Sequence, residues 1–303
     1  MIQDPGPGQC VLPLFVKPGS GLRVPAPGLD GVRHFSVDRV IEEAGRATDA
    51  GIREFLVFGL PEGRRDPLGG MASDPQSPTH HALRELSAVF PECRFWGHAA
   101  LSHATDHGLN CCLDPDGRPD HEKTAVRFCD ICASLAAAGA GAVLPFFLRQ
   151  GAVASIRRRL AAENLSKTAV FSYGAKFDSS LYGPFNSSTG IAGQTGVSDH
   201  INPMDTEGAL KKCESDEREG SSALVIKPAL TYLDVIAAAR IRTSLPLAAY
   251  VVSGEYLMLR RAAGAGDIER KRAMLETHRS LFRAGADMVI TYDAIELAGL
   301  LNG

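Results

Sequence analysis

The chain has 303 residues, and its 32 Lys and Arg against 35 Asp and Glu leave a formal charge of -3 near neutrality. No basic run exceeds Arg157-Arg158-Arg159, so the electrostatic footprint of a nucleic-acid binder is absent. No apolar stretch reaches membrane-spanning length, residues 1–9 lack a basic segment followed by an apolar one, and a soluble, cytoplasmic protein with a small-molecule partner is expected. The seven cysteines, at Cys10, Cys93, Cys111, Cys112, Cys129, Cys132 and Cys213, are an odd, scattered set that reads as reduced thiols.

Taken in chain order, short runs of Val, Leu, Ile and Phe fall at residues 11–16, 54–60, 94–101, 142–147, 168–175, 223–227, 247–252 and 288–292. Helical patterns such as residues 37–50, 122–138 and 232–242 separate them. Strand and helix in strict alternation predict βα units around a parallel sheet, and eight of them predict a closed (β/α)8 TIM barrel of the α/β class. The length suits one such unit, so residues 1–303 are expected to form a single domain with a short arm at 1–9. Two stretches break the rhythm. Residues 102–120, after the third strand, gather His103, Asp106, His107, Cys111 and Cys112. Residues 183–203, after the fifth, are rich in Gly, Ser, Thr and Asn and read as an active-site lid.

Lysine is an unusual last residue for a hydrophobic strand, because a buried ammonium is costly without a partner. It occurs twice, in Ser172-Tyr173-Gly174-Ala175-Lys176 and in Val225-Ile226-Lys227-Pro228. Adjacent strand ends lie about 5 Å apart, so the two amines are expected to lower each other's pKa. A neutral amine attacks a ketone. The competing reading has one lysine reaching the rim and the other paired with an acid such as Asp178.

Seven segments decide between these readings. They are Val11-Leu12-Pro13-Leu14-Phe15-Val16, Phe58-Gly59-Leu60-Pro61-Glu62, Ser172 through Lys176, Tyr182-Gly183-Pro184-Phe185, Lys227 through Asp234, Val252-Ser253-Gly254-Glu255-Tyr256 and Arg283-Ala284-Gly285-Ala286-Asp287. In this order the chain resembles the porphobilinogen synthase (5-aminolevulinate dehydratase) family, from Cys10 to the C-terminus. The resemblance implies a barrel lyase that joins two 5-aminolevulinate molecules through lysine imines. Lys227 matches the principal imine lysine and Lys176 the second, while Ser253 and Tyr292 match the pair that binds the first substrate's carboxylate. Tyr173 and Asp178 are secondary candidates for proton relay.

Departures from the family fall in functional segments. Ala100, Ser102 and Asn110 align with the three cysteines of the family's zinc enzymes, so no metal or other cofactor is expected. His98, His103, Asp106, His107 and Cys111-Cys112 are alternative ligands on paper, but their spacing fits no standard motif and a solvated polar loop is the simpler reading. His98, Phe146 and Phe147 align with the aspartate, serine and aspartate around the first substrate's amino group. Asn186 replaces the arginine after Gly-Pro-Phe, Val197, Ser198 and Asp199 replace the Asp-Arg-Lys of the lid, and Asn202 aligns with the lid glutamine. Less charge complementarity for ammonium and carboxylate follows.

The expected function is therefore a divergent, Schiff-base lyase acting on a keto acid by aldol-type condensation, cleavage or dehydration, in a specialised biosynthetic role. Authentic porphobilinogen synthase with a metal-free site and a non-catalytic binding barrel are the alternatives. The short arm contrasts with the long basic arm that supports the family's octamer, and a homo-oligomer, dimer or larger, is expected.

Overall fold

The computed structural model of the chain describes residues 5–60, 63, 65–190 and 199–302. Eight parallel strands follow in chain order: β1 Cys10–Val16, β2 Glu54–Gly59, β3 Arg94–Ala99, β4 Ala142–Pro145, β5 Ala169–Lys176, β6 Ala223–Lys227, β7 Leu247–Tyr250 and β8 Met288–Ile290. Each pairs with the next, and β8 returns to β1 through Cys10↔Val289 and Val11↔Ile290, closing the (β/α)8 barrel. Helices α1 Val37–Asp49, α2 Pro78–Val89, α3 His121–Ala137 and α4 Ala152–Ala162 follow the first four strands in turn. After β5 come α5 Gly183–Thr189 and α6 Thr206–Arg218; α7 Leu233–Arg242, α8 Ser253–Ala265, α9 Arg270–Ala284 and α10 Ala294–Leu301 complete the chain.

The strands are apolar throughout because both faces are covered. Val11, Phe15, Leu56, Trp96, Leu144 and Phe171 turn inward and fill the barrel. Their neighbours Leu12, Leu14, Phe55, Phe95, Val143 and Val170 turn outward against the helices. Each large side chain so buried contributes about 1.5–3 kcal/mol. The barrel's lower end is closed by Trp96, whose indole meets Phe171 edge-on at 4.7 Å and donates to Glu54, itself paired with Arg94. That leaves the upper rim, where the strands end, as the open end.

One irregularity sets the rim's chemistry. Leu224 pairs with Ser172 and Ile226 with Ala175, so two steps on β6 oppose three on β5. This bulge changes the alternation of β5: Phe171 and Tyr173 face inward, Ala175 faces the helix layer, and Lys176 faces inward again. Glycine at 174 permits it, since a Cβ there would stand 2.9 Å from Cys213 Sγ and 3.2 Å from Leu224 Cβ.

All eight predicted strands are present, though several stop short of the predicted runs at the rim, where residues such as Leu101 and Phe147 leave the hydrogen-bonded ladder. The expected irregular lid is partly helical. Pro184 lies in the first turn of α5 and Gly190 closes it at φ 67°, punctuation that needs no apolar periodicity in so short a helix. Further along, Ile201 bridges to Phe177 at the exit of β5; Val197 and Ser198 lie outside the described residues. All seven cysteines are free, and no helix among the described residues is long and apolar enough to cross a membrane.

Gly174→Ala is expected to destabilise the fold by about 1–3 kcal/mol, the range for overpacking a filled interior. A urea unfolding midpoint equal to that of the unmodified chain would remove the steric role assigned to this bulge.

Candidate active site

At the upper rim a cavity of about 340 Å³ opens between the ends of β2 to β6 and the segment leading through α5. Lys176 and Lys227 are register partners on β5 and β6 and both line it. Lys227 Nζ lies among three aromatic faces, 4.4 Å from the Tyr250 centroid, 5.0 Å from Tyr182 and 5.2 Å from Tyr173. Lys176 Nζ lies 3.8 Å from the Phe146 centroid and 4.7 Å from Tyr182. Aromatic faces attract an ammonium but replace little of its hydration, so burial dominates. It brings Lys227 down to about 7, against the opposing pull of Glu255, and holds Lys176 well below the usual lysine range, with Lys227 adding to the effect. The shift raises the neutral fraction of Lys227 at pH 7 from roughly one in a few thousand to about half.

The expectation of mutual repulsion is thus corrected in its order of causes. Desolvation comes first for both amines; Lys227 adds to the lowering of Lys176, and Glu255 opposes that of Lys227.

Glu255 holds this corner together. Its buried carboxylate accepts the backbone N–H groups of Val252 at 2.9 Å, Ala229 at 3.2 Å, Leu230 at 2.7 Å and Thr231 at 3.3 Å. It thereby ties the exit of β6 to the start of α8. Tyr182 donates its hydroxyl to Phe177 O at 2.8 Å and lies 3.2 Å from Lys227 O, bridging the ends of β5 and β6.

Of the other residues singled out in the sequence, Tyr173, Phe146, His98, Asn186 and Asp178 line the cavity. Tyr173 Oη and His107 Nε2 are, among the described residues, the buried side-chain polar atoms without a hydrogen-bond partner. His98 is held well below its ordinary pKa by burial and then by Lys227, and is a neutral acceptor. Phe147 is not at the cavity. Facing opposite to Phe146, it stacks on Phe128 of α3 with centroids 5.1 Å apart. Asn202 is also elsewhere, accepting from Met204 N at 2.9 Å in the turn before α6.

Ser253 and Tyr292 stand just behind the cavity wall. Ser253 Oγ accepts from Phe185 N at 3.0 Å and donates to Leu181 O at 3.1 Å. Tyr292 packs between Phe15 and Tyr256, at centroid distances of 6.2 and 5.3 Å, and borders a separate cleft with Arg33 and Arg260. Phe185, which lines the cavity, separates it from Ser253.

The loop after β3 does not fit a zinc site. Ala100 and Ser102 line the cavity, while Asn110 is committed to the backbone, accepting from Leu101 N at 2.8 Å and donating to Phe146 O. Among the described residues no three His, Cys, Asp or Glu side chains form a ligand set.

Two residues escaped the sequence reading. Glu255 lies within a quoted motif but has its partners on another strand's exit, and His200, whose Nε2 meets Lys176 Nζ, lies in a stretch without periodicity.

Replacing Glu255 with Gln is expected to destabilise the protein by about 1–3 kcal/mol, because an amide leaves some of the four N–H groups unsatisfied. It also removes the negative charge that supports the Lys227 ammonium, so the midpoint for acylation of Lys227, followed by peptide mass against pH, moves below about 7. A midpoint that rises would contradict the assigned electrostatics.

The family model for delta-aminolevulinic acid dehydratase matches residues 6–300. A curated relative of that name from Mycobacterium tuberculosis is 36% identical over 300 residues, covering 98% of this chain and 91% of its own length. Another from Bacillus subtilis is 34% identical over 294 residues, covering 96% and 90%. A crystal structure of delta-aminolevulinic acid dehydratase (porphobilinogen synthase) from Toxoplasma gondii, in complex with the reaction product porphobilinogen, superposes with a TM-score of 0.93 at 33% identity, covering 97% of this chain and 84% of that one. The chain belongs to the delta-aminolevulinic acid dehydratase family and is a lyase.

Proposed function

We propose that this family member condenses two 5-aminolevulinate molecules to porphobilinogen through lysine imines. The observation that carries the reading is the pair of desolvated amines in register at the barrel mouth, Lys176 beside Lys227, in a chain alike to named dehydratases over its whole length. The expectation of a separate, specialised biosynthetic role finds no support in those relatives, all of which carry the dehydratase name.

In this reading the neutral Lys227 amine attacks the ketone carbon, water leaves, and the imine withdraws electrons so that the adjacent carbon loses a proton. Lys176 takes or returns protons, or holds the second molecule as its own imine. Tyr173, kept protonated by burial, donates to the departing hydroxyl. The carboxylate of one molecule displaces Leu181 O as the acceptor of the Ser253 hydroxyl and takes the Tyr292 hydroxyl as its other donor, which requires the segment before α5 to give way. Overall one C–C and one C–N bond form between the two molecules and two waters leave.

Replacement of the amino-group aspartate and serine does not abolish ammonium binding in this account. Neutral His98 accepts a hydrogen bond, and the Phe146 face attracts a cation, as it does Lys176. Asn186 and Thr189 offer amide and hydroxyl groups to the second carboxylate. No step runs through a metal, since the residues of the loop after β3 do not fit one. Self-association as a dimer or larger and a cytoplasmic site of action go with this reading.

A second reading, a 4-oxo acid without an amino group as substrate, is favoured by one observation: Asp178, a carboxylate at the cavity, is 77% exposed and turned toward solvent.

Incubation with 5-aminolevulinate is expected to yield porphobilinogen by colorimetry at about 1 per second, an ordinary enzymatic rate. Activity should survive chelators, and Lys227→Ala should abolish both product and the borohydride-trapped adduct. Lys227→Arg should fail equally, because guanidinium does not deprotonate. Absence of porphobilinogen, with 4-oxopentanoate still trapped on Lys227, would replace this reading by the second. Loss of activity in chelator with recovery on adding zinc would reject the metal-free mechanism.

A further inference from the structure

Residues 199–201 run beside the exit of β5. Ile201 N donates to Lys176 O and Asp178 N donates to Ile201 O, each at 2.9 Å, and Asp199 is anchored by an ion pair to Arg149 at 3.1 Å. This backbone ladder carries His200 to the wall of the cavity. Its ring lies parallel to Phe146, centroids 5.6 Å apart at 11°, and tilts against Tyr182 at 5.8 Å. Nε2 is hydrogen-bonded to Lys176 Nζ. On the opposite side of the ring, Nδ1 lies 4.0 Å from Asp178 Oδ1.

Exposure rises along this line. Lys176 is 5% exposed, the His200 side chain 9% and the Asp178 side chain 77%. The charged and titratable groups facing His200 are Lys176, Lys227, Tyr182 and Asp178. Burial, and after it the first two, keep the imidazole neutral. A neutral imidazole has one nitrogen to accept and one to donate, so it passes a proton through without holding a charge for long. An amine that exchanges protons with a substrate deep in a barrel needs such a route to restore its starting state.

We infer that Lys176, His200 and Asp178 form a proton relay between the cavity and solvent, with His200 as the shuttling group. In the outward direction the Nζ–H bond of the Lys176 ammonium breaks as Nε2–H forms. The Nδ1–H bond breaks as a proton passes to Asp178, through one water across the 4.0 Å gap. The inward direction reverses both steps. The inference rests on the reading of Lys176 as the acid–base group of an imine enzyme, and it extends the role of Asp178 to a partner that the family resemblance does not supply.

The test uses the intact protein with His200→Gln, His200→Ala, His200→Phe and Asp178→Asn. Glutamine keeps a hydrogen-bonding group but carries no exchangeable charge state. Its expected effect is a fall in porphobilinogen turnover of about 100-fold, the lower end for loss of a general acid–base group, while 4-oxopentanoate is still trapped on Lys227. Free imidazole should restore turnover to His200→Ala and increase with its own neutral fraction. Asp178→Asn should slow turnover less, because water reaches the exposed end. His200→Gln turning over at the unmodified rate, or His200→Ala failing to respond to imidazole, would reduce His200 to packing and overturn the relay. A second measurement needs no turnover: the pH midpoint for acylation of Lys176 by limiting acetic anhydride, read by peptide mass. His200→Phe, which keeps a ring over the amine and removes only the acceptor, should move that midpoint down, since the ammonium loses its partner, and an unchanged or raised midpoint would overturn the coupling. Failure of the unmodified protein to trap any oxo acid or to form porphobilinogen would count against the proposed function, and the acylation midpoints would still decide the coupling of His200 to Lys176.

Discussion

Desolvation of two amines at one end of a closed barrel is the constraint around which this molecule is organised. An ammonium moved from water into an apolar wall is strongly disfavoured, and the group responds by giving up its proton. Here the wall is made of ring faces, Tyr173, Tyr182 and Tyr250 around Lys227 and Phe146 beside Lys176. They cushion the charge without restoring its hydration. An amine that is substantially unprotonated near neutral pH is thereby a product of burial, and the stability of the barrel has to carry the cost of placing it there.

That cost is met by interactions one layer out. Strand closure from β8 to β1 makes every strand end part of a continuous ring, so no edge can fray under the strain of a polar group. Glu255 accepts four backbone N–H groups from two loops, and Tyr182 joins the ends of the two lysine strands. Glu255 also supplies the opposite charge that limits how far Lys227 is depressed. One side chain therefore acts on structure and on reactivity at once, through different atoms' surroundings rather than through contact with a reactant.

The residues that the sequence reading set against the family's pattern are physically coherent with one another. Asn110, which the sequence reading aligned with a ligand position, stitches Leu101 to the Phe146 carbonyl and is part of the rim's backbone scaffold. Phe146 provides a ring to both Lys176 and His200, and His200 takes up the amine that Phe146 cushions. Loop after β3, loop after β4 and the segment entering α6 thus converge on Lys176, and none of them would make sense alone.

The sequence by itself determined the barrel. Eight apolar runs separated by amphipathic helices admit few other arrangements, because period and alternation are local properties that each strand states for itself. It also determined that Lys176 and Lys227 end neighbouring strands, and the seven quoted segments pointed to the family. Tertiary structure decided the rest. Whether Lys176 or Ala175 faces the cavity depends on a bulge between Leu224 and Ile226, which is a property of pairing. Phe147, adjacent to a cavity residue, was lost to the helix layer because successive side chains on an extended chain point opposite ways. Ser253 was legible as a motif residue, but its engagement by Phe185 and Leu181 was not. His200 is 24 residues from Lys176 in a stretch without pattern, and Glu255 binds a loop 24 to 26 residues away. Hydrogen bonds and desolvation act through space at a few ångströms, so their partners become visible only when the chain has closed.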